Sequence, residues 1–571
     1  MKKKKKKLLF EDKPKGNFTV VKTSLKSILK DYNTNFSIVN KLVIDCNDIA
    51  IRTYQFMRLY ILYKYKKKDK LPEINRKTIL YFIRAGGSKA KCGPKPKNQE
   101  FHKELETFYE KEFKPVLGKE KYNLKKMARV IDYLAQDIEV GFNNSLKEHF
   151  VTRFRRFLNI VNPYPETDGR EFNKVKNLIL LDKHKDIPEK YKKFAKKIKK
   201  KYLPKYYKEC YAYDCKLNPS KYLFYTIKMS KKIEKINNKI KSDESLTEEE
   251  RRKKVKSLYQ CIPLRNSIVP SYITIDAGVI LNLFRKDGDN KITRTGQLGK
   301  YKRHFWDRLF KINKKIMNKK GYEFKSIKTD GIGASIYFQK IGTRRKEAVV
   351  KLEDSFYITD LEGSELKKCK DRNLVAIDPN KQSLVYMMDK NGNKLRYTAS
   401  QRRHESKSKR NTQILFSEKV KNKISEYEAE LSKFNCKTTS YKEFKKYIKE
   451  KTELNDKVKD FYQKELFRKL KWSRHIHQRK SMDQFLNRIE KTFGKKEETL
   501  LCYGNWSNRK QMKHCMPTKG VGLRREISKR FDIVLIDEFR TSKMCSKCGN
   551  ELTNYQKDNV KIHRLLCCYK C

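Results

Sequence analysis

Four cysteines near the C-terminus restrict the fold of this chain more sharply than any other residues. Cys545-Ser-Lys-Cys548 and Cys568-Tyr-Lys-Cys571 are two CxxC pairs on either side of a short connecting segment. Each pair can place two thiolates on one ion, and two such knuckles close a tetrahedral four-cysteine site for Zn2+. A site with four protein ligands keeps no open coordination position, so this zinc folds its segment and does not catalyse. Five of the 14 cysteines fall between Cys545 and the last residue, Cys571. Cys567 lies outside the pattern, and His563 reads as an ordinary surface histidine.

The N-terminus opens with Lys2 to Lys7, followed only by Leu8, Leu9 and Phe10. That apolar run is too short for a signal peptide. The thiols are therefore expected in a reducing, intracellular compartment, as free cysteines or metal ligands. The lysine run reads equally as a solvated tail or as a nuclear-import signal or phosphate contact, so nucleus or cytoplasm follows from the host.

Lys+Arg number 138 against 67 Asp+Glu, a formal charge of +71 over 571 residues. A hydrophobic fraction of 38% with 12% aromatics supports packed cores and argues against wholesale disorder. The surplus charge points to polyanionic partners, phosphate backbones above all. No stretch of about 18 apolar residues occurs, so a membrane partner is not expected. The length predicts about three to five structural units.

Residues 1–40 read as a basic arm and 41–261 as a helical, tyrosine-rich region suited to gripping nucleic acid by charge and stacking. Within it, 127–140 and 193–203 carry helical spacing, and 243–256 a capped helix start. Residues 262–370 turn β-rich, with strands at 271–275, 335–339 and 348–350 punctuated by Gly331 and Gly333. The strongest strand is Leu374-Val375-Ala376-Ile377-Asp378. A hairpin through Asn391-Gly392 follows, with strands at 383–388 and 394–398. No Pro or Gly occurs between Asn393 and Phe493, so residues 400–495 form a helical insertion with helices at 417–434, 441–453 and 456–493. Strands resume at 499–503 and 532–536, joined by an amphipathic helix over 522–531. Strand, hairpin, helices, strand, helix, strand over 371–571 suits an RNase H-like α/β domain. The chain is thus a multidomain α+β protein ending in a zinc ribbon over 541–571.

Asp378 stands at the end of its strand. Glu538 follows the strand at 533–536, with Asp537 beside it as an alternative. Carboxylates on neighbouring strand ends match a two-metal hydrolase, in which Mg2+ ions about 3.5–4 Å apart activate water and stabilise the leaving oxygen. No GxxxxGK[ST] loop is present, which argues against an ATP-driven helicase, and the zinc-deaminase signature is also missing. His475 and His477 read as surface or phosphate contacts.

The run Ile536-Asp537-Glu538-Phe539-Arg540-Thr541-Ser542-Lys543-Met544-Cys545-Ser546-Lys547-Cys548-Gly549 resembles the TnpB/Fanzor family of transposon-encoded, RNA-guided nucleases. Val375 to Asn380 is similar to that family's first RuvC motif. Leu501 to Trp506, followed by 520–531, is similar to its second RuvC strand and helix. Lys328-Thr329-Asp330-Gly331 with Ile336-Tyr337-Phe338 is similar to the β segment before RuvC. The resemblance is specific over 371–571, suggestive over 320–370 and positional before that. It implies a helical recognition lobe, a β-barrel-like wedge domain, and a RuvC nuclease with a zinc ribbon. It also implies a guide RNA from the transposon end, a double-stranded DNA target and Mg2+-dependent cutting at Asp378 and Glu538.

The sequence departs from the family twice. Many relatives carry the second catalytic carboxylate on the strand that here reads Tyr503-Gly504-Asn505-Trp506, which has no acid. Fanzor-like members have it moved to the segment matching Glu538. The family's third aspartate follows the last zinc knuckle on a closing helix, and this sequence stops at Cys571. The expectation therefore divides between a nuclease, cut short or complete with two acids, and an inactive RNA-guided DNA-binding protein. A zinc-ribbon nucleic-acid protein without a guide is the remaining reading.

Overall fold

The computed structural model describes residues 17–88, 97–166, 168–284, 298–343, 356–505, 520–541, 543–557 and 560–571. The lysine run, the strand expected at 348–350, Trp506 and Ser542 lie outside them. The protein is a mixed α+β chain, with three sheets among the described residues. Its residues gather into two compact units, one of 18–341 with 417–469, the other of 1–17, 342–416 and 470–571.

The first unit is largely helical. Its two longest helices, Tyr32–Lys67 and Ala128–Ile160, bury apolar residues at three- and four-residue intervals, such as Ile131, Ala135, Ile138 and Phe142. The first ends with Lys64, Lys66 and Lys67 in its last turn, where cations suit the carbonyl end, and Lys68 at φ 64° turns the chain away. The expected capped start near 243 is the helix Glu248–Lys254, closed by a capping box between Thr247 and Glu250. Arg58 is fully buried, donates to the carbonyls of Ile262 and Thr438, and lies 4.5 Å from the Phe444 ring centroid. It ties the segments near 262 and 438 to the first long helix.

This unit also holds an antiparallel sheet of β1 (Phe18–Ser24), β2 (Ile273–Ile275), β3 (Tyr322–Thr329) and β4 (Gly333–Lys340), in the order β1-β4-β3-β2. Two expectations shift here. The stretch expected as a basic arm contains β1, paired with β4 along its whole length. The four strands make an open sheet with β1 and β2 at its edges, and among the described residues no pairing closes it into a barrel.

The second unit is built on a six-stranded sheet of β5 (Phe356–Tyr357), β6 (Asn373–Asp378), β7 (Ser383–Asp389), β8 (Lys394–Thr398), β9 (Thr499–Gly504) and β10 (Asp532–Ile536). The order is β5-β10-β9-β6-β7-β8. β6, β7 and β8 are an antiparallel meander, while β9 and β10 run parallel to β6. The segment 356–370 therefore belongs with this sheet and not with the β-rich region expected to reach 370.

One face of the sheet buries Val375, Ile377, Val385, Met387, Tyr397, Leu501, Tyr503, Ile533 and Leu535 against Phe485, Leu486, Ile489 and Phe493 of the helix Glu465–Phe493. Tyr397 stacks on Phe485 at 4.4 Å, and its hydroxyl shares a 2.6 Å hydrogen bond with Ser481 Oγ. Each such side chain contributes about 1.5–3 kcal/mol on burial. The other face is split. Over β5, β9 and β10, Leu500, Cys502 and Val534 pack with Phe356, Leu361 and Cys369. Over β6 and β7, Leu374, Ala376, Asp378, Tyr386 and Met388 are exposed.

The helical insertion divides. Residues 417–469 belong to the first unit, while 400–416 and 470–495 stay with the six-stranded sheet. The expected helix 417–434 breaks at Lys423, φ 52°, and 456–493 breaks at Lys464, whose extended backbone separates Tyr441–Gln463 from Glu465–Phe493. Beyond β10 a hairpin of β11 (Thr553–Lys557) and β12 (Val560–Cys567) follows the first cysteine pair. No helix among the described residues is long and apolar enough to cross a membrane.

Candidate active site and metal centre

Three strand ends build the acidic site. β6 delivers Asp378 at its last position, and in its ladder with β9 Ile377 faces Tyr503, so Gly504 falls beside Asp378. β9 and β10 stay paired to the same level, because Ile536 faces Gly504 and the Asn505 N–H donates to the Ile536 carbonyl at 2.9 Å. The chain then turns, with the Phe539 N–H donating to Asp537 Oδ1 at 3.1 Å. The Thr541 hydroxyl and N–H both donate to the Glu538 carbonyl. This turn separates the two neighbouring acids. Asp537 is exposed and serves as a turn cap, whereas Glu538 is half-buried and reaches back over β9.

Glu538 occupies the space that a side chain on residue 504 would need. A Cβ added to Gly504 would come within 2.7 Å of Glu538 Cδ and 3.1 Å of Cγ, closer still to the carboxylate oxygen. Only glycine at 504 lets the carboxylate lie there. Burial raises the pKa of Glu538, and the charges of Asp378 and Asp537 raise it further. The two sequence-identified acids thus share one electrostatic environment, brought together from distant parts of the chain. Crowded carboxylates of this kind favour either a proton or a cation. At the opposite end of the strands the Arg372–Asp532 ion pair, at 2.8 Å, ties the start of β6 to β10.

The four cysteines come together as their spacing predicted. Their Sγ atoms all lie within 4.8 Å of one another. The pairs Cys545–Cys571 and Cys548–Cys568 are each 3.4 Å apart, and Cys568–Cys571 is 3.5 Å. A tetrahedral ion with sulfur ligands at about 2.3 Å sets sulfurs about 3.8 Å apart, so the cluster fits one metal ion. The first knuckle is a turn closed by the Gly549 N–H on the Cys545 carbonyl, with Gly549 at φ 67°, a backbone that glycine adopts without strain. Backbone N–H groups of Cys548 and Lys547 lower the Cys545 thiol, and Asn550 brings Cys548 down to about 6. Cys571 is raised by the other three sulfurs. Four crowded thiolates without a cation repel one another, and a bound cation removes that repulsion. Among the described residues this is the one group of three or more possible ligands at such spacing.

His475 and His477 do not join either site. His475 stacks with Trp472, and His477 Nδ1 hydrogen-bonds the Ser473 carbonyl within the same helix. In the helical unit Lys66, Lys231, Lys235, Lys241, Lys433 and Lys437 line a cavity of about 930 Å3. Of the two glutamates that line it, Glu234 is held by Thr438 and Thr439.

The sequence matches a family model described as a domain of unknown function, DUF8286, over residues 273–340. The match runs from the start of β2 to the end of β4. No curated protein matches the chain.

Proposed function

We propose that this protein is an RNA-guided DNA endonuclease of the TnpB/Fanzor type, cutting with Mg2+ held by Asp378 and Glu538. The observation that carries the reading is Glu538 lying over Gly504 at the end of the strand next to Asp378. A carboxylate is thereby supplied at the position where many relatives carry one on β9 itself. The sheet order supports it too. A three-stranded meander continued by two parallel strands is the plan of an RNase H-like domain, with acids at adjoining strand ends. Asp378 and Glu538 would hold Mg2+, which would supply an acidified water. Zn2+ at Cys545, Cys548, Cys568 and Cys571 would be structural.

The charge of +71 and the lysine-lined cavity in the helical unit support a bound guide RNA and a DNA target, gripped by their backbones. One observation favours the alternative of RNA-guided binding with impaired cutting. Asp537 is engaged as a turn cap, so among the described residues the site presents two facing acids. The test is purification with co-expressed RNA and sequencing of what is bound, followed by incubation with matched double-stranded DNA in Mg2+. A discrete RNA species, and cleavage lost in Asp378→Ala and Glu538→Gln, are expected. Guided binding without cleavage selects the alternative, and heterogeneous RNA refutes guidance altogether.

A further inference from the structure

The exposed part of the sheet continues the acidic site outward in one straight rung. In the β6–β7 ladder Asp378 faces Tyr386, and in the β7–β8 ladder Tyr386 faces Arg396. Residues opposed across a ladder project on the same face, so acid, aromatic ring and guanidinium stand side by side. All three are exposed, Tyr386 by 39%. The next rung repeats the pattern without the acid: Ala376 faces Met388, and Met388 faces Lys394. Arg396 Nε donates to Ser383 Oγ at 2.6 Å, which ties the guanidinium to the start of β7, the strand that carries Tyr386. Among the described residues no carboxylate pairs with it.

We infer that this rung is the seat of the strand being cut, an unpaired nucleotide stacked on Tyr386 with its neighbouring phosphate on Arg396. The inference rests on the nuclease reading and extends it to the substrate. Strands lie about 4.8 Å apart, so Arg396 is about 10 Å from β6 and reaches a phosphate one or two nucleotides from the one at Asp378. A rigid ring beside a cation is the arrangement that holds single-stranded nucleic acid without reading its sequence. Charge decides between occupants. The outer strand offers Lys394 and Arg396, and the inner strand offers Tyr386 and Met388, which complements a polyanion with an apolar base face better than it does another apolar surface. The face is continuous with the acid pair and needs no rearrangement of the sheet.

The experiment uses the full chain with Tyr386→Trp as a fluorescent reporter and a short oligothymidine as probe, without divalent metal, so that cleavage plays no part. Quenching that saturates with the oligonucleotide is expected. Tyr386→Ala should weaken binding about 5- to 100-fold while Tyr386→Phe keeps it, the mark of stacking. Arg396→Gln should lower the slope of log affinity against log salt by about one. A reporter indole that is insensitive to an oligonucleotide bound elsewhere overturns the inference and leaves the nuclease reading intact. A blue-shifted reporter indole in the free protein also overturns it, because the face is then covered by protein. Absence of cleavage by the unaltered protein, with quenching retained, removes the nuclease reading alone.

Discussion

The Glu538 carboxylate lies where the side chain of residue 504 would be, so glycine at 504 and glutamate at 538 form one unit. Neither residue announces this alone. Gly504 ends one strand, Glu538 follows the next, and only their parallel pairing superimposes them.

Gly504→Ala should therefore act as a site mutation although alanine has no chemistry. Its methyl displaces the Glu538 carboxylate, and divalent-metal affinity and cleavage should fall about 10- to 100-fold. The pair Gly504→Glu with Glu538→Ala returns an acid to the same place and should recover part of the loss. Metal titration of both variants, with circular dichroism to verify folding, checks this.

Acidity should gate the site through Glu538. Burial first, then Asp378 and Asp537, raise its pKa. A proton therefore competes with the metal, and Mn2+ affinity should fall as pH drops through this raised value. The sign for stability is opposite. The metal-free fold should lose stability as pH rises from about 4.3, the ordinary glutamate value, to the raised one. Glu538→Gln should flatten both trends, measured by titration calorimetry and thermal melts across pH.

Removing the metal should melt the C-terminal hairpin and spare the sheet. β11 and β12 form a two-stranded ribbon, which is marginal in water without a staple. One equivalent of zinc per chain is expected. Chelation or Cys548→Ser should raise amide exchange across 543–571 and leave β6 and β9 protected.

The sheet-to-helix core supplies a control distinct from the site. Phe485 is fully buried and stacks on Tyr397. Phe485→Ala should cost about 3–5 kcal/mol in chemical denaturation, whereas Tyr397→Phe, losing the bond to Ser481, should cost about 1 kcal/mol.

Much of this was legible in the residues because it is local. The apolar run Leu374 to Ile377 and the turn at Asn391-Gly392 marked β6 and the hairpin after it, and two CxxC pairs marked the cysteine cluster. What escaped depends on distant partners. Phe18–Ser24 is a short alternating segment beside a lysine run, and its partner β4 lies far along the chain, beyond the whole helical region. The break at Lys464 has no proline or glycine to signal it. The residues by themselves left Asp537 open beside Glu538 and only the family resemblance chose Glu538, because what separates the two is a turn and the space over Gly504.

The proposed chemistry requires Asp378 and Glu538 to hold a divalent cation. A crystal of the protein soaked in Mn2+ tests it directly through anomalous scattering. A peak beside the two carboxylates that disappears in Glu538→Gln is expected. Saturating Mn2+ with no peak there, or a peak unchanged in that variant, contradicts the proposal.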